Sequence, residues 1–125
     1  MKRGARTAGG GLSPHVRLWL VTAGDATPFG QGRWLLLAAI DRTGSLRAAA
    51  AELGVSYRKA WGDLRKTEKA LGVQLIETRR GGRDGGDTRL TANGRRWLVA
   101  YGRFRARVER SVMRAFAATF KDLQP

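Results

Sequence analysis

The residues best suited to chemistry are long hydrogen-bond donors, and they fall in two clusters. In the first, Tyr57, Arg58 and Lys59 occupy the three positions after Ser56, and Arg65 stands two helical turns beyond Arg58. Arginine and lysine donors near a helix start fit the paired acceptors that guanine shows in a DNA major groove. Serine hydroxyls and the free N–H groups of a helix start suit phosphate oxygens. Arg58 and Lys59 are therefore the candidates for base edges. Ser45 and Ser56 are candidates for phosphate, and Tyr57 and Arg65 share the same face. The second cluster is RRGGRDGGD, residues 79–87, followed by Arg89. From there Arg79, Arg80, Arg83 and Arg89 could reach phosphates or an adjacent minor groove.

Other chemistries find little support. His15 is the single histidine and cysteine is absent, so neither a His-rich nor a thiolate metal site can be assembled. GGRDGGDT has glycines and a threonine but lacks the Lys–Ser/Thr pair of a phosphate-binding loop. Asp84 and Asp87 could be read as a carboxylate pair. With no nucleophile or general acid placed beside them, they are read as moderating the arginines. Trp34 and Trp61 are read as core aromatics. No enzyme, metal or cofactor is expected.

The elements that must position these donors follow from pattern and punctuation. HVRLWLV, residues 15–21, alternates like a strand, and residues 24–30 read as a loop. A first helix is predicted over 31–43, with Trp34, Leu36, Leu37 and Ile40 inward and Gly44 as its stop. Ser45 caps a second helix, 46–53, and Ser56 caps a third, 57–71, whose inner face is Ala60, Leu64, Thr67 and Leu71. Between those two, Gly54 permits a tight turn, and Ala50 lets the helices touch. Short strands at 73–78 and 88–90 would flank the glycine-rich hairpin. Thr91 caps a last helix over about 92–122, on the order of 45 Å long. Its apolar stripe contains Phe104, Val108, Val112 and Phe116, which call for a partner and mark a homodimer seam. The fold class is mainly α with a small β wing: a winged helix-turn-helix with a long C-terminal helix. The domain reading is a flexible basic tail (1–14), the winged domain (15–91) and the dimerisation helix (92–125).

The formal net charge of +14 over 125 residues favours a polyanionic partner. No apolar run approaches the roughly 20 residues of a membrane span. The reading is a cytoplasmic protein that binds double-stranded DNA and no membrane. A non-specific architectural DNA-binding protein is the alternative, and an RNA-binding module is disfavoured for want of an aromatic-rich sheet signature.

AAAELGVS, LGVQLIETR and LTANG (residues 90–94) resemble the N-terminal domain of LysR-type regulators. SYRKAW, GGRDGG and the preceding apolar strand narrow this. Together they resemble the DNA-binding domain of the ModE family of molybdate-responsive regulators, over about residues 15–110. The resemblance implies a winged-helix homodimer on a palindromic operator, controlling genes of molybdate uptake or use. Members of that family bind molybdate in a separate C-terminal pair of small β-barrel domains, and no strand-rich segment follows the last helix here. A further expectation is therefore that the chain senses no oxyanion by itself, and that regulation comes from protein level, from DNA competition or from a partner chain that carries the sensing domain.

Overall fold

A computed structural model describes residues 11–24, 28–79 and 87–123. The elements are β1 (Trp19–Leu20), β2 (Phe29–Gly30), α1 (Gln31–Thr43), α2 (Leu46–Leu53), α3 (Tyr57–Leu71), β3 (Ile76–Arg79), β4 (Asp87–Leu90) and α4 (Ala92–Phe120). They fall into two units, Leu18–Gly102 and a second that takes the segments up to Arg17 and from Arg103.

The three short helices have the bounds that their punctuation demands. Ser45 Oγ accepts from Ala48 N–H and Ser56 Oγ from Lys59 N–H, both at 3.0 Å. Each hydroxyl satisfies an N–H that a helix start leaves without a partner. Gly54 ends α2 at φ 74°, a left-handed conformation that disfavours any residue with a Cβ. Its turn brings Val55 N–H back to the Ala50 carbonyl at 3.0 Å. Ala49 and Ala50 are buried at the α1–α2–α3 junction, where small side chains let the helices approach.

The core of the first unit is built from Phe29, Leu37, Ile40, Leu64 and Leu75, all fully buried, and closed by Tyr101. Tyr101 sits beside Phe29 and Trp34 with ring centroids 5.3 and 5.4 Å away, and its hydroxyl donates to the Leu18 carbonyl. The start of α4 is thus part of this core. Gly94 fixes that junction: a Cβ there would stand 2.0 Å from the Leu75 carbonyl oxygen. Thr91 caps the helix by accepting from Gly94 N–H at 2.9 Å.

Several expected bounds differ. The strand expected at 15–21 shrinks to Trp19–Leu20, because its partner β2 has two residues before α1 begins. His15 lies outside it, exposed, with Nε2 3.2 Å from Ser13 Oγ. The strand expected at 73–78 starts at Ile76 because the chain is still leaving α3: Val73 N–H bonds the Glu68 carbonyl. The last helix ends at Phe120 and leaves Leu123 in a turn. Leu71 is only partly buried, and the inner face of α3 is completed by Glu68, which is 8% exposed.

Candidate nucleic-acid interface

The outward face of α3 begins one residue after the turn. Tyr57, Arg58 and Lys59 are exposed in its first turn, and Arg65, Lys66 and Lys69 are exposed further along. Ala60, Leu64, Thr67 and Glu68 hold the opposite face in the core. Burial of one side therefore forces the cations onto the other.

These donors are held to different degrees. Lys59 Nζ pairs with Asp63 at 3.0 Å, and Asp63 also faces Arg33 Nη2 at 3.6 Å. Arg33 is in turn fixed by its Nε–H to Thr67 Oγ1, 3.1 Å away. Arg65 lies over the Trp61 ring, 4.4 Å from its centroid, and pairs with Glu68 at 3.1 Å. Arg47 of α2 lies over the Tyr57 ring at the same distance. Arg58 makes no hydrogen bond or ion pair with a described residue. It is a free donor inside a frame of fixed neighbours.

Glu68 links this helix to the wing. Its Oε2 accepts from the backbone N–H of Leu75 at 2.7 Å and of Ile76 at 3.2 Å. Those are the residues that lead into β3, so the carboxylate ties the wing to the far end of α3. The second wing strand is tied to α1, where Thr88 N–H reaches the Gly44 carbonyl at 3.0 Å. Arg79 stands opposite Asp87 in the ladder, and Arg89 lies 3.7 Å from Glu77. Such cross-strand opposite charges stabilise a hairpin modestly. Arg80, Arg83 and Asp84 lie outside the described residues.

A short helix, a glycine turn, a capped helix with an exposed basic start and a two-stranded wing form a helix-turn-helix with its wing. Residues 33–95, half of the chain, match the bacterial regulatory helix-turn-helix proteins of the LysR family. The chain belongs to that family. The LysR family is one of regulators, not of enzymes. Among curated relatives, the chain is 36% identical over 104 residues to the Molybdenum-pterin-binding protein MopB of Rhodobacter capsulatus, covering 83% of this chain and 38% of MopB. It is 39% identical over 66 residues to the Transcriptional regulator ModE of Haemophilus influenzae, covering 53% of this chain and 26% of that protein. The chain thus spans well under half the length of either relative. Among solved structures, a CbnR DBD–DNA complex matches at TM-score 0.56 with 30% identity, covering 70% of this chain and 94% of that one.

In this LysR-family chain, Ser45, Ser56, Tyr57, Arg58, Lys59 and Arg65 lie along α2 and α3, while Arg79 and Arg89 lie on the wing. Reading from the sequence missed Arg47 and Glu68. Arg47 is one residue past Leu46 on an alanine-rich helix, and only the fold brings it to Tyr57. Glu68 sits among lysines as any solvated glutamate would; its partners are backbone groups seven and eight residues on. Trp34 and Trp61, read as core aromatics, are partly buried and pack against the core. Phe104, Val108 and Val112 line one groove of the second unit, together with Arg107, Ser111 and Ala115. Phe116 instead stacks on Phe120, with centroids 5.2 Å apart.

Proposed function

We propose that the chain reads duplex DNA in sequence-specific fashion as the DNA-binding part of a cytoplasmic transcriptional regulator, and that it acts as a homodimer. The observation that carries this reading is the outward face of α3: a free Arg58 at the helix start, framed by side chains whose positions are fixed. A guanidinium presented from a capped helix start can discriminate between bases, because a wrong base leaves it unpaired at a cost of about 1–3 kcal/mol. Lys59 is the second candidate for a base edge, while Ser45, Ser56, Tyr57, Arg65 and Arg47 would orient the helix on phosphates, together with the wing cations Arg79, Arg80, Arg83 and Arg89. Phe104, Val108, Val112 and Phe116 would form the dimer seam. The names of the MopB and ModE relatives support a role in molybdenum-related gene control.

Sensing of the oxyanion is assigned to another domain or a partner chain. Selective oxyanion binding needs convergent, enclosed donors. The cations described here are spread over helix faces and solvated.

The test is selection of a preferred duplex from a randomised pool, followed by competition against random duplex across salt. A dimer that neutralises about 8 phosphates gives log K against log salt a slope near −7. A preference of at least about a thousandfold for the selected duplex supports specific reading. Equal affinity for both makes the protein a non-specific architectural binder.

A further inference from the structure

The acids of α3 are Asp63 and Glu68, and Glu68 is taken by Arg65 and the wing. Asp63 stands four residues after Lys59 and accepts from its Nζ at 3.0 Å. The helix itself gains little from this pair, because a lysine placed before its acid is the less favourable order. Yet the carboxylate is held from behind. Thr67 is fully buried, and its hydroxyl donates to the Asp63 carbonyl at 3.0 Å. The same Oγ1 accepts from Arg33 Nε–H at 3.1 Å, and Arg33 Nη2 lies 3.6 Å from Asp63 Oδ1. Lys59 takes the other oxygen, Oδ2. A chain of polar contacts thus runs from the core through Arg33 and Asp63 to Lys59, and the carboxylate in its middle is only 22% exposed. Lys59, Asp63 and Arg33 also line one cleft with Leu53 and Val55, which give the lysine stem apolar neighbours.

A held lysine and a free lysine meet DNA differently. A free ammonium is a point charge on a flexible stem, and phosphate is its commonest partner. Lys59 has one of its three N–H donors committed to Asp63, which leaves two. A phosphate brought to those donors meets the Asp63 charge beside it, and like charges repel. Guanine O6 and N7 are neutral acceptors and meet no such charge. The carboxylate therefore penalises phosphate and spares the base edge, which is specificity by repulsion of the wrong ligand. The place fits this role: Lys59 is the third residue of α3, in the turn that a helix-turn-helix offers to the groove.

We propose that Asp63, held by Arg33, is a specificity-determining positioning residue: it keeps Lys59 for a neutral base acceptor and denies it to the phosphate backbone. The proposal rests on the reading of α3 given above. Its consequence is that an acid on the DNA-reading helix weakens binding to random duplex more than binding to the selected one.

The test measures the affinity of the full chain for the selected duplex and for random duplex across salt. The variants are Asp63→Asn, Asp63→Glu, Lys59→Ala, and Asp63→Asn combined with Lys59→Ala, each at a temperature where thermal unfolding shows it folded. A general change in charge acts on both duplexes alike and cancels in the ratio of the two affinities. Asp63→Asn should lower that ratio about fivefold or more, chiefly by tightening random duplex. It should also steepen the salt slope on random duplex by about 1.8, because the two released lysines of a dimer each take a phosphate. Asp63→Glu keeps the charge pair and should hold the ratio within about twofold of the parent. Lys59→Ala alone should cost more on the selected duplex than on random duplex. Added to Asp63→Asn, it should abolish the gain on random duplex. A parent chain with no preference for the selected duplex would overturn the reading of α3. A parent that prefers it, with the ratio unchanged in Asp63→Asn, would overturn the role of Asp63 alone. So would a gain on random duplex that survives Lys59→Ala, which would make Asp63 a general repulsive charge. Equal cost of Lys59→Ala on both duplexes would make Lys59 a phosphate ligand already in the parent and would also overturn it.

Discussion

The first half of α3 and the distal half of α4 are both basic, but they hold their charge in opposite ways. On α3 the cations have company: Lys59 with Asp63, Arg65 with Trp61 and Glu68, and Arg47 of α2 over Tyr57. Arg58 stands free among them. On α4 four arginines, Arg103, Arg107, Arg110 and Arg114, stand in line without an ion pair to any described residue, and Glu109 pairs with Arg105. Discrimination needs a donor presented from a fixed helix face, since selectivity comes from the penalty on the wrong base. Attraction of any polyanion needs only net charge, which works over about 10 Å at moderate salt. The same residue type thus stands in two settings, among partnered neighbours on α3 and in a row without an ion pair to any described residue on α4.

The largest effect that sharpens this contrast is expected at Glu68. Removing the carboxylate in Glu68→Ala leaves the Leu75 and Ile76 N–H groups without their acceptor in a buried place. Each costs about 1–3 kcal/mol, so a loss of about 2–6 kcal/mol is expected. For a domain of this size that lowers Tm by roughly 10 °C or more in thermal unfolding. At a temperature where the variant stays folded, binding of the selected duplex should weaken because the wing is no longer tied to α3. A variant as stable as the parent would remove the carboxylate from its anchoring role.

Next is the apolar groove of α4. Val108→Asp with Val112→Asp places two charges in the proposed seam, and each buried, unpaired carboxylate costs several kcal/mol. Sedimentation should show monomers, with much weaker binding to the selected duplex. A parent chain that sediments as a monomer at tens of micromolar would rule out the seam.

The smallest effect is expected at Gly62. It lies one helical turn after Arg58 and one before Lys66, and an added Cβ would meet nothing within 4 Å. Alanine there should stabilise the free protein by about 0.5–1 kcal/mol, as at an exposed helix interior. If α3 lies in a groove, the same methyl group crowds the DNA. Binding should then weaken as stability rises, a pair of opposite shifts that calorimetry and titration would separate. Unchanged affinity would mean that Gly62 does not face the duplex.

How much of this was legible in the sequence varies with the range of the interactions. The bounds of α1, α2 and α3 were readable because local residues set them: serine caps at 45 and 56, and glycines at 44, 54 and 72 whose φ is positive. The exposure of the candidate residues on α3 was readable because the buried period leaves one face for charge. The length of β1 was overestimated and β2 was taken into a loop over 24–30, since strand length and pairing depend on the partner and not on the alternating pattern of residues 15–21. The wing's anchorage was not readable. It depends on Glu68 reaching the backbone of Leu75 and Ile76, and on Thr88 reaching Gly44. The unpaired state of the α4 row was half readable: the spacing is in the sequence, but the placement of Glu109 against Arg105 is not.

The measurement that bears most directly on the central claim compares Arg58→Ala with the parent on the selected duplex and on random duplex at several salt concentrations. The account predicts that the variant loses about 1–3 kcal/mol on the selected duplex, roughly 5- to 150-fold, while random duplex binds within about twofold of the parent with an unaltered salt slope. Equal weakening on both duplexes would make Arg58 one more phosphate ligand and would contradict sequence reading by α3.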